Sequence, residues 1–179
     1  SQGIKLQDIS ESFKSFKGVP GRMEVVIREP FTVIVDYAHT PDALDKVYKT
    51  VRNVGFRKPH ISIGTDLNRR MGARMVCVLG SAGGGRDKWK RPEMGKIAAQ
   101  YCDKIILTNE DPYDEDPNQI LEDIEAGIKS YGLRSPEGRR VMNYESILDR
   151  HAAVRRALQC ANPEDVVGYK ILFLHVQNQ

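Results

Sequence analysis

Short apolar runs, each followed by a turn and then by a helix-period pattern, recur along the chain and constrain its fold more than any other feature. Thr32-Val33-Ile34-Val35 is a β-branched run of the kind buried on both faces of a parallel sheet. Met75-Val76-Cys77-Val78-Leu79, Lys104-Ile105-Ile106-Leu107-Thr108, the short Val141-Met142 and Asp165-Val166-Val167 repeat the signal. Between them lie four helical patterns. The first opens at Pro41 with Thr40 as N-cap and carries Leu44, Val47, Tyr48 and Val51 on one face. The second spans Pro92 to Tyr101, with Met94, Ile97, Ala98 and Tyr101 aligned. The third opens at Pro117 and aligns Ile120, Leu121, Ile124 and Ile128, and the fourth runs from Ser146 to Cys160. Regular alternation predicts an α/β fold, a Rossmann-like doubly wound, mostly parallel sheet with right-handed crossovers.

In such a sheet ligands bind outside the carboxyl ends of the strands, so the strand-to-helix turns are the places to look for chemistry. Asp36-Tyr37-Ala38-His39-Thr40-Pro41 gathers a carboxylate, an imidazole and free helix N–H groups at one such corner. The plain alternative is an ordinary capped turn. A second corner, Gly80-Ser81-Ala82-Gly83-Gly84-Gly85, lets backbone N–H groups approach an anion beside Arg86, Lys88, Lys90 and Arg91. Of these Arg86 is the first candidate for the cleft, while Lys88, Lys90 and Arg91 are read as solvated. The third corner is Asn109-Glu110-Asp111-Pro112-Tyr113; its acids either face a ligand or cap the next turn.

Composition narrows the class. With 179 residues, 40% hydrophobic and 28% charged, the chain can build one substantial core. No apolar run reaches the roughly 18 residues of a membrane helix and no leader pattern opens it, so a cytoplasmic protein without a membrane partner is expected. Cys77, Cys102 and Cys160 are odd in number and far apart, which predicts buried free thiols, and the four scattered histidines form no metal set. Six bases and one acid between Arg52 and Arg74 contrast with eight acids from Asn109 to Glu125. No nucleic-acid motif accompanies the basic stretch, so no nucleic-acid partner is expected.

Asp36-Tyr37-Ala38-His39-Thr40-Pro41-Asp42-Ala43-Leu44 resembles the DYAHTPDAL signature of the Mur ligases. Gly18-Val19-Pro20-Gly21-Arg22-Met23-Glu24-Val25, the stretch Gly83 to Lys88 with Lys90-Arg91-Pro92, and Thr108 to Pro112 agree in order. Within the family the chain is most similar to the UDP-N-acetylmuramoyl-tripeptide synthetase branch, which adds the third residue of the peptidoglycan stem peptide. The resemblance implies a C-terminal, amino-acid-binding and cleft-closing domain of an ATP-dependent amide ligase. Residues 1–20 would be the tail of a central ATPase domain and the hinge, and 21–179 the C-terminal domain. It implies ATP-site roles for Arg22, Asp36 and His39, and an amino-acid pocket of Arg86, Glu110, Asp111 and Tyr113. None of these residues is implied to be a catalytic nucleophile.

Tyr113 stands where the diaminopimelate-adding members resemble Asp-Asn-Pro-Arg. A phenol cannot form the bidentate pair that a guanidinium makes with a distal carboxylate. With Glu110 and Asp111 beside it, the pocket is expected to take lysine, ornithine or another basic amino acid.

No Gly-x-x-x-x-Gly-Lys-Ser/Thr sequence occurs, so the phosphate loop, with ATP and Mg²⁺, is expected on the central ATPase domain. That domain, an N-terminal UDP-binding domain, the UDP-muramoyl peptide and a basic amino acid are the implied partners. The chain alone is expected to hold no cofactor stably and to be inactive. A non-catalytic or degenerate module of the same fold is the alternative, and a folylpolyglutamate synthetase-like domain is another. A dehydrogenase is disfavoured, since no Gly-x-Gly-x-x-Gly follows the first strand. Residues 54–72 read as a loop insertion and 168–179 as an atypical tail.

Overall fold

The structure, a computed structural model, describes residues 3, 5–16, 18–54, 74–85, 87–132, 143–163 and 165–170. Arg86, nearly all of the 54–72 insertion, the predicted Val141-Met142 strand and the tail beyond residue 170 lie outside the described residues.

Eleven elements follow in the order α1 (Leu6–Ser15), β1 (Glu24–Ile27), β2 (Thr32–Asp36), α2 (Pro41–Val54), β3 (Met75–Leu79), α3 (Lys90–Tyr101), β4 (Lys104–Leu107), α4 (Pro117–Tyr131), β5 (Asn143–Ser146), α5 (Arg150–Cys160) and β6 (Val166–Lys170). The sheet order is β1-β2-β6-β3-β4-β5. Every pairing from β2 to β5 is parallel, and β1 alone runs antiparallel, against β2. The expected α/β sheet is therefore present, with the carboxyl ends of β2, β6, β3 and β4 along one edge. The edge strand β1 escaped the sequence reading because half of its four residues are exposed, leaving no long apolar run.

The runs are apolar because both faces of the sheet are covered. One core joins Ile34, Cys77, Leu79, Ile105 and Leu107 to Leu44 and Tyr48 of α2, Met94 and Ala98 of α3, and Ile120 and Ile124 of α4. The other packs Val33, Val76, Val78, Ile106 and Val167 against Ala153 and Ala157 of α5. Helices α3 and α4 meet backbone to backbone: a Cβ on Gly127 would lie 1.9 Å from the Pro92 carbonyl oxygen, and one on Gly95 2.1 Å from that of Ile124.

Three expectations are corrected. Helix α3 starts at Lys90 rather than Pro92, because a proline within the first turn removes an N–H that has no helical acceptor anyway. Helix α5 starts at Arg150 rather than Ser146: Asp149 is its N-cap, accepting the Ala152 N–H at 2.6 Å, and Ser146 ends β5. Cys77 and Cys102 are not free thiols but a disulfide with Cα atoms 6.1 Å apart. Chain order separates them by 25 residues, yet α3 returns over the sheet and lays its C-cap against the middle of β3.

Candidate functional site

The β2 corner is tied together by Asp36. One carboxylate oxygen accepts the Met23 N–H at 2.7 Å and the other the Ala38 N–H at 2.8 Å. The first bond holds Met23 at φ +48°, a left-handed conformation uncommon for a side-chain-bearing residue. It also brings Arg22 to the corner, its guanidinium carbon 4.8 Å from the centre of the Tyr37 ring. Tyr37 in turn meets His39 edge-on, with centroids 4.9 Å apart. The His39 Nδ1 lies 3.1 Å from the Tyr37 carbonyl oxygen; a carbonyl only accepts, so Nδ1 carries the proton and Nε2 remains for another partner. Arg22, Asp36 and His39 thus share one corner. Asp36 is a scaffold carboxylate whose remaining lone pairs are open to a ligand hydroxyl.

The glycine-rich exit of β3 is strapped to the segment after β4. The Gly83 N–H donates to the Asp111 carbonyl at 2.8 Å, and a Cβ on Gly83 would lie 2.1 Å from the Pro112 oxygen. Close approach, rather than conformational freedom, requires glycine there. Glu115 locks the strap: Lys88 reaches it at 3.0 Å, Arg91 at 3.0 Å and the Gly85 N–H at 3.3 Å. Lys88, Arg91 and Gly85 hold the Glu115 carboxyl below the usual range. Arg91 is 1% exposed and also bonds Asp123 at 2.9 Å, while Lys90 is 8% exposed. Arg91 is therefore not solvated, against expectation, and most of the Lys90 side chain is buried as well. Starting α3 at Lys90 turns both side chains inward, which a helix beginning at Pro92 would not do.

After β4 the anticipated pocket residues separate. Glu110 is buried, Asp111 is half-buried, and Tyr113 is 67% exposed at φ +53°. The Tyr113 ring lies over Gly84, where a Cβ would be 3.0 Å from the ring. The cap of α4 is Asp116, which accepts the Asn118 N–H at 2.9 Å. Arg150 opens α5 and donates to the Asn109 carbonyl at 3.1 Å. Burial pushes the Tyr169 hydroxyl pKa up; Arg150 opposes that shift and Glu110 adds to it. Sequence reasoning missed Arg150 and Tyr169, since each looks like an ordinary member of its element.

The first two corners meet over a recess of about 710 Å³ lined by His39, Thr40, Pro41, Asp42, Asp87, Trp89 and Lys90. Among the described residues no group of three or more His, Cys, Asp or Glu side chains could hold a metal, and no helix is long and apolar enough to cross a membrane. The assembly offers cations, N–H donors and carboxylates at one sheet edge. Such groups serve charge neutralisation and alignment.

A family model described as "Mur ligase, glutamate ligase domain" matches residues 21–170. Among curated proteins, the UDP-N-acetylmuramoyl-L-alanyl-D-glutamate--2,6-diaminopimelate ligase of Trichormus variabilis is 42% identical over 168 residues, covering 92% of this chain and 28% of that protein. The enzyme of the same name from Aquifex aeolicus is 39% identical over 167 residues, covering 93% and 29%. A solved structure of a UDP-N-acetylmuramoyl-L-alanyl-D-glutamate--2,6-diaminopimelate ligase matches with a TM-score of 0.62 at 33% identity, over 94% of this chain and 29% of that one. E. coli FolC in complex with DHPP and ADP shares the fold, with a TM-score of 0.60 at 18% identity over 93% of this chain and 31% of that one. The chain thus spans less than a third of the length of the curated relatives it matches.

Proposed function

Because the chain belongs to the Mur ligase family, we propose that it is the C-terminal, cleft-closing domain of an ATP-dependent ligase that adds the third amino acid to UDP-N-acetylmuramoyl-dipeptide. The observation that carries this reading is the sheet edge where the Arg22-Asp36-His39 corner and the strapped loops 80–85 and 109–115 lie side by side. In the proposed reaction ATP, as substrate, phosphorylates the dipeptide carboxylate, and the amine of the incoming amino acid displaces phosphate to form the amide.

The residues present fit a nucleotide: the open lone pairs of Asp36 suit a ribose hydroxyl, and the exposed Arg22 guanidinium suits phosphate oxygens. With Nδ1 carrying the proton, His39 Nε2 can accept a hydrogen bond in the same cleft. Magnesium and the phosphate loop belong, in this reading, to a preceding ATPase domain, of which residues 1–20 with α1 are the tail; that domain and a UDP-binding domain are the partners. The domain works in the cytoplasm, where nucleotide substrates are found. By itself it closes the cleft without turning over substrate.

For the incoming amino acid the reading is a basic side chain without a distal carboxylate. Tyr113 offers a hydroxyl where a guanidinium would be needed, and Asp111 is a half-buried acid beside it. A diaminopimelate pocket is the competing reading, favoured by the names of the relatives and by Arg150 next to Asn109. Incorporation of labelled lysine, ornithine or diaminopimelate into UDP-N-acetylmuramoyl-dipeptide by the complete enzyme decides between them. Diaminopimelate as the preferred substrate would overturn the basic-residue reading, and no ATP-dependent incorporation of any of the three would overturn the ligase reading. In that enzyme Arg22→Ala is expected to depress kcat and Arg86→Ala chiefly to raise the amino-acid KM.

A further inference from the structure

We propose that Arg150 is a positioning residue for the ligation: from the first turn of α5 it fixes the backbone of residues 109–111, and with it the aim of Glu110 and Asp111 at the incoming amino acid. This role rests on the functional reading above, because it is defined by the amino-acid pocket to which that reading assigns the two acids. Arg150 itself lies outside the anticipated pocket and on a different element.

Strand β4 ends at Leu107, and the chain beyond it is held from two sides. On the α5 side the Ile147 N–H donates to the Leu107 carbonyl at 2.9 Å, and the Thr108 hydroxyl and Asn109 N–H donate to the Leu148 carbonyl at 3.3 and 3.4 Å. Arg150 completes this side, its Nε–H donating to the Asn109 carbonyl at 3.1 Å. A guanidinium donor makes that bond charge-assisted, whereas the two bonds to Leu148 are neutral and long. On the other side the Gly83 N–H donates to the Asp111 carbonyl at 2.8 Å. The turn from which Arg150 reaches is itself fixed, because Asp149 caps α5 by accepting the Ala152 N–H at 2.6 Å.

Glu110 lies between the two holds and is 6% exposed. A Cβ on Gly80 would be 3.1 Å from the Glu110 Cγ, so this side chain leans over the exit of β3, the strand between β4 and β6. Tyr169 of β6 stands beyond it, and its hydroxyl feels both charges, Glu110 adding to the upward shift caused by burial and Arg150 opposing it. A cation, a carboxylate and a phenol thus share one point of the sheet edge. A buried carboxylate is costly to hold without positive charge nearby, and Arg150 brings that charge to the patch. Its Nε is engaged with the Asn109 carbonyl, so its influence on a substrate passes through that backbone. A misplacement of about 1 Å in such a constellation costs up to about a hundredfold; with Gly83 still holding Asp111, about tenfold is expected on losing Arg150.

The experiment measures kcat and the KM for each substrate in the complete enzyme, wild type, Arg150→Met and Arg150→Lys, with lysine, ornithine and diaminopimelate offered in turn. Arg150→Met is expected to raise the amino-acid KM about tenfold for every amino acid the wild type uses, while the KM values for ATP and for UDP-N-acetylmuramoyl-dipeptide stay within about twofold. Arg150→Lys keeps a cation and a donor, and is expected to bring the amino-acid KM back to within about threefold of the wild type. A fall in kcat with all three KM values altered together would make Arg150 merely structural and overturn the proposal. A rise confined to diaminopimelate would overturn it too, by making Arg150 a direct partner of the distal carboxylate. Should circular dichroism show that Arg150→Met is unfolded, Arg150→Gln is the second variant; it keeps an N–H donor without the charge and is expected to raise the amino-acid KM at least about threefold, no rise overturning the proposal. A wild-type enzyme that incorporates none of the three amino acids would overturn the functional reading and this role with it, whereas an active wild type with an unaffected Arg150→Met would overturn this role alone.

Discussion

Replacing Gly83 with alanine probes the strap between the glycine-rich exit of β3 and the segment after β4. The added Cβ would lie 2.1 Å from the Pro112 oxygen, whereas ordinary contact begins at 3.4 Å, so the two backbones must part by about 1.3 Å. Overpacking of that kind costs about 1–3 kcal/mol. Parting also breaks the Gly83 N–H bond to the Asp111 carbonyl, a further loss of about 1 kcal/mol. Against these stands a gain of about 0.4–1 kcal/mol from the less flexible unfolded chain. The net is a destabilisation of about 2–3 kcal/mol, which for a chain of this size lowers Tm by roughly 5–10 °C. Gly168→Ala is the control, because its Cβ would find its nearest atoms at 4.0 Å and the residue has no left-handed φ. It is expected to melt with the wild type or slightly above it. Calorimetric melting of the three proteins at one pH gives the comparison. If Gly83→Ala melts with the wild type, or Gly168→Ala falls as far, close approach is not what holds the loop. In the complete enzyme the same displacement, set beside the proposed amino-acid pocket, is expected to raise the amino-acid KM by at least about tenfold.

Arg91→Met is expected to destabilise by about 2–3 kcal/mol in chemical denaturation, below the 3–5 kcal/mol typical of a broken buried pair, because water can reach Asp123, 28% exposed; a loss under about 0.5 kcal/mol would show the buried pair to be dispensable. Thiol titration of the unfolded, unreduced chain should count one free thiol, Cys160, and reduction should lower stability by roughly 3–4 kcal/mol through release of a 25-residue separation between Cys77 and Cys102; three reactive thiols before reduction would contradict the disulfide. Acid should weaken the fold, since Lys88 and Arg91 depress the Glu115 pKa and the Tyr144 hydroxyl and Lys129 depress that of Glu125, both below the usual 4.5. A depressed carboxyl stabilises the fold above its unfolded pKa and loses that contribution as pH falls through the folded value. Melting temperatures should therefore be level above about pH 5.5 and fall below 4.5, less steeply in Glu125→Gln; an unchanged slope in that variant would refute its part in the loss.

The element order was legible in the chain because burial on both faces of a parallel strand demands an unbroken apolar run, as in Met75–Leu79, and because Pro41 and Pro117 mark helix starts. The Asp36–His39 corner was legible for a similar reason: its partners, Met23, Tyr37 and Ala38, are local or lie in a motif read beforehand. What the sequence by itself determined was the alternating architecture, the family and the strand-end turns where the candidate site lies. Only the tertiary structure decided which charges in those turns are available. Lys88, Lys90 and Arg91 stand within four positions and look alike in one dimension, yet one is exposed and paired, one has most of its side chain buried and no ion pair among the described residues, and one is buried between two carboxylates. The same holds for Cys77 and Cys102, and for Arg150 and Glu110, which act in opposite senses on Tyr169. Helix and strand periodicity is a local property of the chain, whereas the field at a side chain is set by groups brought near it from distant positions, here across α3, α4 and α5, and no spacing in the sequence encodes that distance.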